Sequence, residues 1–385
     1  MSLAEEDATE RLWDKAGAWR GAGVAVGIFA LTRIAQLIIL GWLDAAADEP
    51  LGIRQRLLVW DAGWFLRVAV DGYPHGYTYE GNQLQGNELA FFPVYPMLIR
   101  AVAALGIPAS TAALVVSWVA SVGAAVAVHL LGTSLYGKRT GWALVAICFS
   151  APVAIVFSMA YSEGIFLALV AGMLVAAHRR VWWAAGLLGF LTALTRPTGA
   201  AAAVALAVAA LPAIRESRAK AWQPITAAVV ALAGVPLFLA WVGWRVGDPA
   251  AWFRIQAAGW GTAFDFGSST LSFLGTTLST GDSWVPVSVA LILLAALAAA
   301  GVALAQKPWL PLAVYGVIAM VLVYGQAGFY HSKPRLLVPV LLTLLPAAVA
   351  AGRARPRVAV VSIAAWALFG LWYGAYLVAV WPYTL

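Results

Sequence analysis

The chain has 385 residues, 63% of them hydrophobic and 11% charged, with a mean hydropathy of +0.85 and a formal net charge of +7. Soluble domains run to about 45–50% apolar and about 25% charged residues, so the composition excludes a water-soluble globule and requires a surface that lies against lipid. The single cysteine, Cys148, excludes an intrachain disulfide and a cysteine-based metal cluster.

The opening stretch MSLAEEDATERLWDKAGAWR is acidic and then mixed in charge. It lacks the basic-then-apolar order and small-residue cleavage site of a signal peptide, so the first apolar segment is expected to stay as an anchor. About eleven apolar runs approach the roughly 20 residues that cross a bilayer: 22–43, 110–131, 141–159, 163–178, 181–196, 197–213, 224–245, 285–306, 308–325, 335–352 and 358–381. Arg196-Pro197 divides 181–213 into two short helices, or into a kinked helix and a reentrant piece, because proline removes a backbone donor. With a cytoplasmic N-terminus, the inward segments are 1–21, 132–140, 178–180, 214–223, 307 and 353–357. They hold 14 of the 24 basic residues and 6 of the 17 acidic ones. Lys and Arg collect in cytoplasmic loops, so the positive charge reads as orientation and not as a nucleic-acid surface.

The outward side then has two long segments, 44–109 and 246–284, and short turns at 159–163, 195–198 and 326–334. Within the first, 57–70 and 91–105 are apolar on one side and too short to span, which predicts interfacial helices on the outer leaflet. The expected fold is an all-α integral membrane protein, a single membrane-embedded domain over 1–385.

Ionisable groups near hydrocarbon are costly and mark sites when they gather. Asp61, between Trp60 and Trp64, is either a general base for a substrate hydroxyl or a helix-start carboxylate. Asp71, in VDGY, reads as a turn former before Gly72. Glu163, in FSMAYSEGIF, either caps a helix or holds a sugar hydroxyl or a cation. Arg196, in LTRPTG, suits bidentate phosphate binding, or snorkels beside a proline turn. His331, Lys333 and Arg335 pack three potential cations into HSKPR, a patch suited to a phosphate leaving group. Arg33, midway along the first span with Gln36 nearby, needs an interior partner, protein or substrate. No P-loop, HExxH or strand-following GxGxxG is present, so a reaction here takes its energy from an activated substrate or a gradient.

WDAGWFLRVAVDGY (60–73), NELAFFPVYP (87–96), AYSEGIF (160–166) and LTRPTG (194–199) together resemble the PIG-V-type mannosyltransferases, which add the second mannose to glycosylphosphatidylinositol in eukaryotes. The resemblance implies a GT-C multi-span bundle with its site facing outside; the compact, Ala- and Arg-rich chain looks bacterial, so the expected location is a bacterial plasma membrane. It implies inverting transfer of mannose from polyprenyl phosphate mannose to a glycolipid or glycan hydroxyl, giving an α-mannoside. In that scheme Asp61 is the base, and Arg196, Lys333 and Arg335 neutralise the departing phosphate. Glu163 and His331 contact donor or acceptor, and Glu88 is a second acidic contact. The lipid phosphate is already a reasonable leaving group, so no metal or cofactor is demanded. A helper subunit, another sugar or a protein acceptor, and a flippase of lipid-linked sugar stay open as alternatives.

Overall fold

The computed structural model describes residues 3–216 and 221–383, with side chains from Trp19 onward. Of the expected inward charges, Arg218 and Lys220 lie outside the described residues, as do the side chains of Arg11 and Lys15. The chain begins with α1 (Leu3–Ala45), α2 (Ile53–Arg56) and α3 (Asp61–Asp71). An antiparallel hairpin of β1 (Thr78–Glu80) and β2 (Gln83–Gln85) precedes α4 (Val94–Ala103). The middle of the chain forms α5 (Ala109–Tyr136), α6 (Lys138–Phe149), α7 (Glu163–His178), α8 (Trp182–Ala193), α9 (Gly199–Glu216) and α10 (Trp222–Val246). The remainder supplies α11 (Ala251–Trp260), α12 (Ser268–Thr280), α13 (Trp284–Ala305), α14 (Leu310–Tyr324), α15 (Lys333–Leu337), α16 (Leu345–Arg353) and α17 (Pro356–Ala379).

Among the described residues, six helices are long and apolar enough to cross a membrane: α1 from Trp19, α5, α9, α10, α13 and α17. The protein is an all-α, multi-span membrane protein. The five other expected crossings are helical but short or broken. The run 141–159 stops as an α-helix at Phe149, before Pro152, and resumes as a 3-10 turn at Ala154–Phe157. The run 335–352 divides around Pro339 into α15, a 3-10 turn at Leu341–Thr343, and α16. Proline clashes with the carbonyl of the preceding turn and cannot donate to it, which ends both helices. Between α8 and α9 the chain breaks at Leu194–Thr198, so 181–213 is two helices, which pack on each other and on α10.

The two expected interfacial segments form α3 and α4, each with one buried face. The segment 246–284, read from sequence as a long loop, contains α11 and α12. Leu89 and Phe92 from the first long connection pack with Phe238 of α10 and with Trp252 and Ile255 of α11. Gly86 and Gly259 let the hairpin touch α11 backbone to backbone; a Cβ on either would sit inside van der Waals contact with the other's Cα.

The stretch Ser150–Ser162 is buried throughout yet not α-helical. Irregular backbone at membrane depth survives only where protein groups take its hydrogen bonds. Here α1 and α5 supply them. Arg33 donates to the carbonyl oxygens of Phe149 and Ala154, the latter at 2.7 Å, and to Ser158 Oγ at 3.3 Å. Ser121 Oγ donates to Phe157 O at 3.1 Å, Trp118 Nε1 to Ser158 O at 3.0 Å, and Ser117 Oγ to Tyr161 O at 3.1 Å. The interior partner that Arg33 requires is therefore a set of carbonyls and the amide of Gln36. The segment delivers its last residue, Ser162, to the start of α7. Gly164 then lets α7 approach α5, since a Cβ there would collide with Ser121 Oγ and the Ser117 carbonyl.

Replacing Arg33 by Met removes the guanidinium donors to the Phe149 and Ala154 carbonyls and to Ser158, and a buried polar group that loses its partner costs about 1–3 kcal/mol. Arg33→Met is expected to lower the stability of the detergent-purified protein by roughly 3 kcal/mol, with Arg33→Lys intermediate. Thermal unfolding followed by tryptophan fluorescence measures both.

Candidate active site

Four elements from distant parts of the sequence meet at one end of the bundle. The turn before α3 is sharp: Trp60 holds φ at +56°, uncommon for a bulky residue. It sets Asp61 as the first residue of α3. Glu163 is the first residue of α7, Arg196 sits in the break between α8 and α9, and Arg335 lies on α15. Arg335 Nη1 is 2.7 Å from Asp61 Oδ2, and its Nε is 3.4 Å from Glu163 Oε1. Arg196 Nη1 is 2.6 Å from the same Glu163 oxygen. The result is an alternating chain, Asp61–Arg335–Glu163–Arg196. Its inner members are deeply placed: the side chain of Glu163 is 2% exposed and that of Arg335 11%, whereas Asp61 keeps 22%.

The Asp61 carboxylate faces a cavity of about 540 Å³. Its polar lining includes Asp61, Ser162, Glu163, Thr195, Arg196, Thr198, Gln256, Gln326, Lys333 and Arg335. The remaining wall is aromatic and apolar, with Trp60, Trp64, Phe91, Trp252, Phe264 and Phe329. Such a cavity, apolar with a few convergent charges, is the usual form of a site for an amphiphilic ligand. Trp64 is stacked on Phe91, with ring centroids 5.7 Å apart, and carries Arg67 over its ring at 4.0 Å. Its faces are therefore occupied by the protein.

The sequence candidates fall into two groups. Asp61, Glu163, Arg196, Lys333 and Arg335 line the cavity; Glu88 and His331 do not. Glu88 pairs with Arg67 at 2.6 Å. His331 packs among Phe329, Tyr330 and Tyr383. Burial, helped by the charge of Arg335, pushes its imidazole down to about 4, so it is neutral near pH 7 and HSKPR supplies two cations. Lys333 is buried, and its Nζ donates to the carbonyls of Val323 at 2.8 Å and Gln326 at 2.5 Å. Burial pushes the ammonium down to about 8; it ties the end of α14 to α15 and leaves a positive charge at the cavity wall. Asp71 ends α3 and hands over to Gly72 at φ +87°, the turn expected of VDGY.

Tyr161 was not singled out by the sequence. It is buried, its hydroxyl lies 3.4 Å from the Asp61 backbone N, and its ring lies 5.1 Å from the Arg335 guanidinium carbon. Its position two residues before Glu163, in a run of otherwise apolar and small residues, is the sequence signal that marks it. Among the described residues, no group of three or more His, Cys, Asp or Glu side chains could hold a metal ion.

No family model matches the chain. A stretch of 140 residues is 35% identical to GPI mannosyltransferase 2 of Drosophila pseudoobscura pseudoobscura. The match takes in 32% of this chain and 27% of the relative. Among solved structures, the crystal structure of the Archaeoglobus fulgidus oligosaccharyltransferase in complex with zinc and sulfate is similar over 92% of this chain and 53% of its own. The TM-score is 0.47 and the sequence identity 15%.

Removing one partner from a buried ion pair strands the other and costs about 3–5 kcal/mol. Glu163→Gln, which leaves Arg196 without its carboxylate and Arg335 with Asp61 alone, is expected to destabilise by about that amount. Asp61→Asn should cost markedly less, because Asp61 is partly solvated and Arg335 keeps Glu163. Chemical unfolding in detergent micelles measures the difference; equal losses would contradict the ordering.

Proposed function

We propose that the chain is a GT-C-type, PIG-V-like mannosyltransferase of a bacterial plasma membrane, its cavity facing the outer side. It would transfer mannose with inversion from polyprenyl phosphate mannose to a hydroxyl of a glycolipid or glycan acceptor. The observation that carries the reading is one partly solvated carboxylate set against two arginines in a largely apolar cavity. The 35% identical stretch shared with a GPI mannosyltransferase supports it, as does the motif resemblance over 60–96 and 160–166.

The chemistry follows from charge. Two carboxylates, Asp61 and Glu163, face three cations, Arg196, Arg335 and Lys333, leaving one positive charge. The donor is a phosphodiester with one negative charge, which that excess balances. The acceptor oxygen attacks the anomeric carbon, forming a new C–O bond while the bond from that carbon to the phosphate oxygen breaks. The electron pair goes to the phosphate, which leaves as a monoester dianion, and the acceptor proton goes to Asp61. One negative charge thus moves from Asp61 to the leaving group, and the total charge of the site does not change. Arg196 and Arg335 are already in place where that charge develops, the arrangement that lowers a barrier without reorganisation. Glu163 holds the two arginines, and the aromatic walls exclude water that would otherwise hydrolyse the donor.

The test is transfer of labelled mannose from polyprenyl phosphate mannose in membranes carrying the protein, with endogenous lipids as acceptors. Asp61→Asn, expressed and inserted at the wild-type level, is expected to reduce transfer roughly 100- to 10,000-fold, the range for loss of a general base. Equal transfer in both would remove Asp61 from the mechanism. Movement of the intact donor across the bilayer without bond cleavage would identify a flippase instead.

A further inference from the structure

The base and the leaving-group clamp share one guanidinium. Arg335 Nη1 lies 2.7 Å from the Asp61 carboxylate, yet the proposed reaction asks Arg335 to hold a phosphate. Asp61 Oδ2 is therefore occupied by Arg335, and that contact masks the base from an acceptor hydroxyl. Arg335 is 9% exposed, and it meets Asp61 through Nη1 at 2.7 Å and Glu163 through Nε at 3.4 Å. Each contact is made through a single nitrogen, without the fork-to-fork fit that guanidinium makes with carboxylate or phosphate. Arg196 and Glu163 remain paired at 2.6 Å, so one end of the clamp is fixed while Arg335 has competing partners on either side.

Resting on the proposed function, we infer that the donor phosphate competes with Asp61 for Arg335, so that donor binding unmasks the base and the donor must bind before the acceptor hydroxyl can be activated. Glu163 is the positioning residue of this exchange: it touches no reacting atom and retains Arg335 beside the cavity whichever partner the guanidinium faces. The same step avoids deprotonating an acceptor when no sugar is present. It also sets Arg335 on the phosphate before that group gains the charge that Asp61 loses. Competition is reciprocal: whatever affinity the Asp61 pair withholds from the phosphate, the phosphate takes from the pair.

The test is equilibrium binding of a fluorescent polyprenyl phosphate carrying no sugar to the full chain in lipid nanodiscs. Asp61→Asn frees Arg335 and is expected to bind the phosphate more tightly than wild type, by roughly tenfold, near the low end of typical coupling between linked sites. In an Arg335→Gln background the Asp61→Asn gain should vanish, since the shared group is gone; the double-mutant cycle isolates that coupling. Where the Gln variant does not insert, Arg335→Lys serves, with the gain expected to shrink. An Asp61→Asn gain of the same size in both backgrounds would mean simple charge repulsion and overturn the exchange, as would no gain at all. If wild type, Asp61→Asn and Arg335→Gln all fail to bind the phosphate lipid, the donor class itself is wrong, and the proposed function falls together with this inference.

Discussion

Glu163 is the constraint on which the site depends. A carboxylate 2% exposed is tolerable in a low-dielectric interior only with cationic partners in contact, and this one has two, both at Oε1. That requirement brings the break between α8 and α9, which carries Arg196, and the start of α15, which carries Arg335, to the first turn of α7. Asp61 then joins through Arg335. Remove the central carboxylate and Arg196 loses its buried partner, while Arg335 keeps only the partly solvated Asp61. The alternation of signs is what allows four charges to occupy a space that hydrocarbon would otherwise fill.

Placing Glu163 has its own cost, and the structure meets it in the preceding thirteen residues. Ser150–Ser162 gives up helical hydrogen bonds inside the bundle, and donors on α1 and α5 replace them: Arg33, Ser117, Trp118 and Ser121. These side chains touch no cavity wall. They act on function by fixing where Tyr161, Ser162 and Glu163 emerge. The deepest arginine in the first span is therefore architectural, whereas Arg196 and Arg335 line the cavity. Both are buried guanidiniums; what separates them is whether their acceptors are backbone carbonyls or carboxylates beside a cavity.

Much of this was legible in the sequence. Composition and run length located every apolar helix, and Arg196-Pro197 located a helix break. The scarcity of charge made Asp61, Glu163, Arg196 and Arg335 conspicuous, and they do converge. Less legible was how segments of crossing length would divide: Pro152 and Pro339 end helices in 141–159 and 335–352, and hydropathy alone does not register them. Helices α11 and α12 were read as loop because their polar and aromatic residues follow no strong period. Glu88 and His331 looked like their neighbours in the motifs, but a carboxylate beside Arg67 and an imidazole among aromatic rings have local partners that only three dimensions reveal. Lys333 reads as a free cation from sequence and is bound to two carbonyls. Partnering, rather than residue type, separates the groups that can meet a substrate from those already spent on the fold.

The most direct test of the central claim is a structure of the Asp61→Asn protein in nanodiscs with polyprenyl phosphate mannose bound. The account predicts the phosphate between the guanidiniums of Arg196 and Arg335, the anomeric carbon turned toward residue 61, and the Arg196–Glu163 pair intact. A donor seated with its phosphate away from both arginines, or with its sugar outside the cavity that Asp61 faces, would contradict it.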